Sequence, residues 1–157
     1  MNAMTARGLS LAAVVAVSTA ISHIGKPPLQ LWPVIVGIGC FVAAGGGIPG
    51  LQKAVAGTVS GVVWALLYVT VAGALGRQEL VSALVLGVAV FGIVYQARIP
   101  LLSYTAGAIA GTGVTLAYGT RIVTMQGGLR VAIPLALGAV LGYAAEWLEG
   151  RIRSRVV

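Results

Sequence analysis

The chain has no aspartate, one histidine, one cysteine and three glutamates among its 157 residues. These scarcities exclude most site chemistry. One His without an Asp cannot complete a hydrolase triad, and the residues for a His/Cys metal site or a paired-carboxylate site are missing. Cys40 cannot form an internal disulfide and stands inside an apolar run, where a thiol acts as a small hydrophobe. Charge is equally sparse: 8% of residues are charged, against about 25% in a soluble domain. Such a chain has too little polar surface to cover itself in water, and no polar stretch is long enough to fold as a second domain. The glycine-rich stretch Gly45–Gly50 lacks the Lys-Ser/Thr that would make it a phosphate cradle. The net charge of +7 comes from basic residues standing singly between apolar runs, which is not the clustered patch of a nucleic-acid binder. No nucleic-acid partner, cofactor, metal or enzymatic activity is expected.

What is present is hydrophobic: 59% of residues, in blocks bracketed by Arg7, Lys26, Lys53, Arg77, Arg98, Arg121 and Arg130. The blocks are unbroken, whereas a membrane β-barrel would alternate in strands of about 10 residues. A crossing helix needs roughly 20 apolar residues, which predicts an all-α polytopic membrane bundle, one domain over 1–157. Its six predicted spans are 8–25, 29–48, 54–75, 80–97, 99–120 and 131–148. The stretch 1–20 also carries the marks of a signal peptide, but five further spans follow and a retained first span is expected. Gly45-Gly46-Gly47-Ile48-Pro49-Gly50 reads as a strong breaker. Pro33, Pro100 and Pro134 fall inside or at the starts of spans. With six spans, one side collects Arg7, Lys53, Arg98, Arg151, Arg153 and Arg155 and the other Lys26, Arg77, Arg121 and Arg130. The positive-inside rule then puts both termini in the cytoplasm of a bacterial inner membrane.

A parallel two-hairpin repeat emerges when the chain is shifted by 50 positions. Between 31–70 and 81–120 nine positions agree: Gly37/Gly87, Phe41/Phe91, Leu51/Leu101, Ala56/Ala106, Gly57/Gly107, Gly61/Gly111, Leu66/Leu116, Tyr68/Tyr118 and Thr70/Thr120. Chance would give about four or five in a chain so rich in Gly, Ala, Val and Leu.

Within the predicted fifth span Ser103, Gly107, Gly111 and Thr115 recur every four residues and share one helix face. Gly57/Gly61 and Gly138/Gly142 repeat the small-xxx-small spacing. Such a stripe lets helices approach closely in lipid. Alternatively, with Ser103, Thr105, Thr112 and Thr115 supplying hydroxyls, it lines a narrow passage. No Asp, Glu, Lys or Arg is expected at the midplane, where ion-coupled transporters place theirs. His23 and Glu146 fall near span ends on opposite sides, His23 as an interfacial ring and Glu146 as a carboxylate satisfied near Arg151 or Arg153. Trp32 and Trp147 sit where belt aromatics do, and Trp64 mid-span. These features predict a channel or facilitator for a small neutral polar solute, not ion-coupled and homo-oligomeric. The alternative is a non-transporting scaffold or assembly partner.

Three stretches carry a family resemblance: Val59-Ser60-Gly61-Val62-Val63-Trp64-Ala65-Leu66; Gln96-Ala97-Arg98 through Leu101-Leu102-Ser103-Tyr104-Thr105-Ala106-Gly107; and Leu135-Ala136-Leu137-Gly138 through Gly142-Tyr143-Ala144. Together they resemble the YcdZ-like family of small bacterial inner-membrane proteins, over about residues 30 to 145. The chain departs from the family at Ala106, where a proline tends to precede the glycine. The resemblance implies a multi-span membrane protein and brings no established activity.

Overall fold

A computed structural model describes residues 3–24, 30–76, 78–119 and 125–156. It contains helices α1 (Ala3–Ile24), α2 (Leu31–Ala43), α3 (Gly47–Ala74) and α4 (Glu79–Gln96), a 3-10 turn (Pro100–Leu102), then α5 (Thr105–Ala117) and α6 (Met125–Val156). No strand occurs among the described residues. The fold is an all-α membrane bundle, in which each helix satisfies its own backbone groups as lipid requires.

Helix ends follow local chemistry and differ from the predicted spans. The break between α2 and α3 is only Ala44–Gly46, with Gly45 and Gly46 at φ of 97° and 72°, a region that L side chains avoid. Pro49 and Gly50, read as part of the breaker, lie in the first turn of α3, where a missing N–H costs nothing because it would have no intrahelical partner. Before α5, Pro100 forces Ile99 into extended backbone (φ −84°, ψ 120°), as a residue preceding proline prefers. The fifth helix therefore starts at Thr105 and not at 99. In turn α6 runs well beyond 131–148 at both ends.

Helices α3, α4 and α6 are long and apolar enough to cross a membrane, whereas the apolar stretch Arg7–Ala20 of α1, α2 and α5 are shorter. At 13 residues each, α2 and α5 reach roughly 20 Å at 1.5 Å per residue, less than the ~30 Å hydrocarbon core. Helix α2 packs on α6 and α3 on α5, with α3 also against α6, so that two pairs share one centre. Val62, Val114, Val131 and Leu135 fill that centre on one side, and Cys40, Phe41, Ala54 and Ala139 on the other. Helix α1 covers α6, and α4 flanks α3 while burying only Ala89 and Ile93.

Candidate functional site

The two helix pairs meet through glycine. A Cβ on Gly61 would strike the Ala108 carbonyl, and one on Gly111 the Thr58 carbonyl. Gly57 lies against Tyr104 and Ala108, and Gly61 against Ala108 and Thr112; both numbers rise together, so α3 and α5 run parallel. In the second pair a Cβ on Gly37 would strike the Leu135 carbonyl and one on Gly138 that of Val34, while Gly142 lies under the Phe41 ring. Helices α2 and α6 are therefore parallel too. At neither crossing does apolar burial drive association, because lipid is as apolar as the helix; close packing and hydrogen bonds do.

At the α3–α5 crossing the Thr112 hydroxyl reaches across, while those of Thr115 and Thr58 bond within their own helices. Thr112 Oγ1 is shared between the Ala108 carbonyl of its own helix at 2.9 Å and the Gly61 carbonyl of α3 at 3.0 Å. Thr115 donates to Gly111 O at 2.7 Å and Thr58 to Ala54 O at 2.8 Å, and all three threonines are buried. Gly107 is buried beside the Tyr104 ring. Thr105, half-buried, opens α5. Ser103, predicted to head the stripe, is off the helix and exposed, and donates to the Pro100 carbonyl at 2.8 Å. The Pro100 turn is the reason. Among the described residues no buried side-chain nitrogen or oxygen lacks a partner.

Glu146 is satisfied by a backbone donor on another helix. Its Oε2 accepts the Gly47 N–H at 2.7 Å. That N–H is one of the orphan donors at the N-terminus of α3, where the helix dipole favours an anion. Arg151 instead lies over the Trp147 ring at 4.0 Å, and the Arg153 side chain lies outside the described residues, as does that of His23. Trp32 stacks on Tyr118 with centroids 5.3 Å apart.

A polar bracket missing from the sequence reading ties α4 to α3. Trp64 Nε1–H donates to Gln96 Oε1 at 2.9 Å, Gln96 Nε2–H to Ser60 Oγ at 3.0 Å, and Ser60 to the Gly57 carbonyl at 2.8 Å. A Cβ on Gly92 would run into the Trp64 ring, so Gly92 makes the bracket possible. The signal was an amide at the end of an apolar run; nothing in the spacing named its partners. Beside the bracket an open, almost wholly apolar groove of about 730 Å³ lies between α3 and the 3-10 turn, with Leu51, Val55, Ala56 and Leu101 on its walls and Gln52 and Ser60 as its polar members. No group of three potential metal ligands is present among the described residues.

These features define an all-α membrane bundle whose helix pairs cross through glycine. The chain belongs to the family described as Protein of unknown function (DUF1097), whose model matches residues 8–150. It is similar to Inner membrane protein YcdZ of Salmonella typhimurium, 32% identical over 151 residues that cover 91% of this chain and 90% of the relative. It is likewise similar to Inner membrane protein YcdZ of Escherichia coli K12, 32% identical over 122 residues covering 73% and 71%. A third relative, Uncharacterized protein YahC of Escherichia coli K12, is 33% identical over 139 residues covering 81% and 83%. No solved structure matches the chain.

Proposed function

We propose that this chain is a membrane assembly unit that associates with further copies of itself, rather than a conduit through its own helices. One observation carries this reading: the small-residue stripe of α5 is filled by the backbone of α3 at Gly61 and Thr58. A solute path along that stripe would need the space the neighbouring helix occupies. The reading involves no catalysis, cofactor or nucleic acid. It keeps both termini in the cytoplasm, on the six-to-four basic asymmetry of the six-span reading; a reporter fused after Val157 that signalled from the periplasm would reverse this orientation.

The self-association surface in this proposal is α4. In the 50-position register Gly87 of α4 is the counterpart of Gly37 of α2. Gly37 receives the backbone of α6, whereas a Cβ on Gly87 would meet nothing within 4 Å. Leu84, Val88 and Phe91, on the same helix, are 64–69% exposed. A close helix contact between small residues is what a membrane helix uses to associate, and on α4 that place is unfilled among the described residues. Step counting of labelled protein in sparse vesicles tests it: wild type forms dimers or larger species, and Gly87→Leu shifts them towards monomer with its helical content and melting unchanged. Wild-type protein that stays monomeric at every protein-to-lipid ratio, or an unshifted Gly87→Leu, overturns the assignment.

A facilitator for a small neutral solute is the second reading. What favours it is the half-buried Ser60–Gln96–Trp64 bracket, which holds donors and acceptors beside an open groove.

A further inference from the structure

The groove between α3 and the 3-10 turn is shallow, opens widely to the outside of the bundle and is nearly all apolar, with a volume of about 730 Å³. Its α3 wall begins at Leu51 and Gln52, one turn inside the helix N-terminus at Gly47. A groove that starts at the end of a membrane helix and runs inward along it has the form of a bed for an acyl chain. Its charge setting selects the head. Lys53, half-buried, follows Gln52 of the wall. Arg98, exposed, stands three residues before Leu101 of the facing wall, with its guanidinium 4.3 Å from the Tyr95 ring centroid and donating to the Tyr95 hydroxyl at 3.3 Å. The wall segments 47–60 and 96–104 hold no acidic residue. Glu79 begins α4, at the opposite end of that 18-residue helix from Arg98, about 27 Å away along the axis. Of the α6 acids at this end, Glu146 is held on the Gly47 N–H, and Glu149 lies one turn further towards the tail.

We infer that this groove holds an acyl chain of an anionic phospholipid from the leaflet at the N-terminal end of α3, with Lys53 and Arg98 facing its phosphate. The basic pair supplies headgroup preference, and the apolar walls supply the hold on the chain. Gln52 lies at the polar end, where a glycerol ester oxygen can accept from its amide.

Native mass spectrometry of the detergent-solubilised protein with equal amounts of phosphatidylglycerol and phosphatidylcholine of identical acyl chains tests this. Each basic residue near a membrane surface gives about a fivefold preference for anionic lipid. The first lipid bound to wild type is then phosphatidylglycerol by about tenfold or more. Lys53→Ala with Arg98→Ala abolishes the preference, while Arg130→Ala with Arg151→Ala, equal in lost charge, leaves it. Ala56→Leu, which narrows the groove, lowers occupancy by both lipids. A photoactivatable acyl chain on phosphatidylglycerol, used with wild-type protein alone, labels the segments around Val55 and Leu101 and keeps the inference testable should Ala56→Leu fail to fold. Equal binding of both lipids to wild type, a preference that survives loss of Lys53 and Arg98, equal losses in the two double variants, or labelling confined to other helices would each overturn it.

Discussion

Gly61 and Gly111 are counterparts across a parallel crossing. They stand 50 positions apart, and the carbonyls that close on them, of Ala108 and Thr58, are also 50 positions apart. Each glycine thus faces the residue three before its own counterpart, and α3 and α5 present the same surface to one another. A sequence register and a contact pattern coincide, which is what two copies of one hairpin packed about a shared axis would give. A helix pair so related is isologous within one chain, and a change at one glycine has the same meaning as at the other.

The first prediction follows from that equivalence. Gly61→Leu and Gly111→Leu should destabilise the protein alike, and by more than the ~1–3 kcal/mol of ordinary overpacking, because the obstacle is backbone. Gly73→Leu on α3 and Gly113→Leu on α5, where nothing lies within 4 Å, should melt within a few degrees of wild type. Thermal unfolding in detergent measures all four. Equal melting of the whole set would remove the glycines from the crossing.

A second prediction concerns the link between α6 and the start of α3. Glu146→Ala removes the acceptor for the Gly47 N–H, and loss of a side-chain cap costs about 1 kcal/mol. Glu146→Gln keeps an acceptor oxygen but loses the charge that the helix N-terminus favours, so it should lie between wild type and Glu146→Ala. Hydrogen exchange at Gly47–Gly50 reads the effect locally. Exchange there that is the same in all three proteins would mean that the carboxylate does not hold the turn.

The third prediction tests the bracket between α3 and α4. Gly92→Ala forces the Trp64 ring from its place and should break the bond to Gln96, whereas Gln96→Glu keeps an acceptor for the indole N–H but loses the donor to Ser60. Interhelical hydrogen bonds in lipid contribute about 0.6 kcal/mol on average, so a single lost bond should shift stability little and Gly92→Ala more. Indole fluorescence reports the first change directly: the Trp64 contribution should shift in Gly92→Ala, read against Trp32→Phe and Trp147→Phe backgrounds.

Much of the architecture was legible because lipid imposes a simple code. Charges at Arg7, Lys53, Arg98 and Arg130 cannot lie deep, so apolar runs between them had to be helices. The four-residue recurrence of Gly107, Gly111 and Thr115 likewise put small residues on one face whatever that face met. Two things were not legible. Where a helix starts depends on a single backbone event, as Pro100 turning the chain before Thr105 illustrates, and hydropathy averages over such events. What a polar side chain meets depends on a helix distant in sequence: Glu146 and Gly47, or Gln96 and Trp64, are partners only once crossing angles and registers exist. Periodicity along one helix carries no information on either.

The last prediction decides between assembly and passage. Purified protein in liposomes should not speed passive swelling in urea or glycerol beyond the rate of empty vesicles. The argument rests on what surrounds the stripe. A narrow pore selects by its diameter and by the donors and acceptors that line it. Along α5, Thr112 and Thr115 spend their hydroxyl protons on backbone carbonyls, and Gly111 gives its room to the backbone at Thr58. At Gly111, Thr112 and Thr115 neither lining groups nor width is left for a solute. The glycine variants make the result informative in either direction. If wild type does accelerate swelling, Gly111→Leu discriminates: flux lost with the fold intact would place the path at α5 and refute the packing account, whereas flux unchanged in a folded Gly111→Leu would move the path to the Ser60–Gln96 bracket, where Gln96→Leu should then abolish it. Swelling at the empty-vesicle rate for several small neutral solutes, from protein that is folded and inserted, leaves the assembly reading standing.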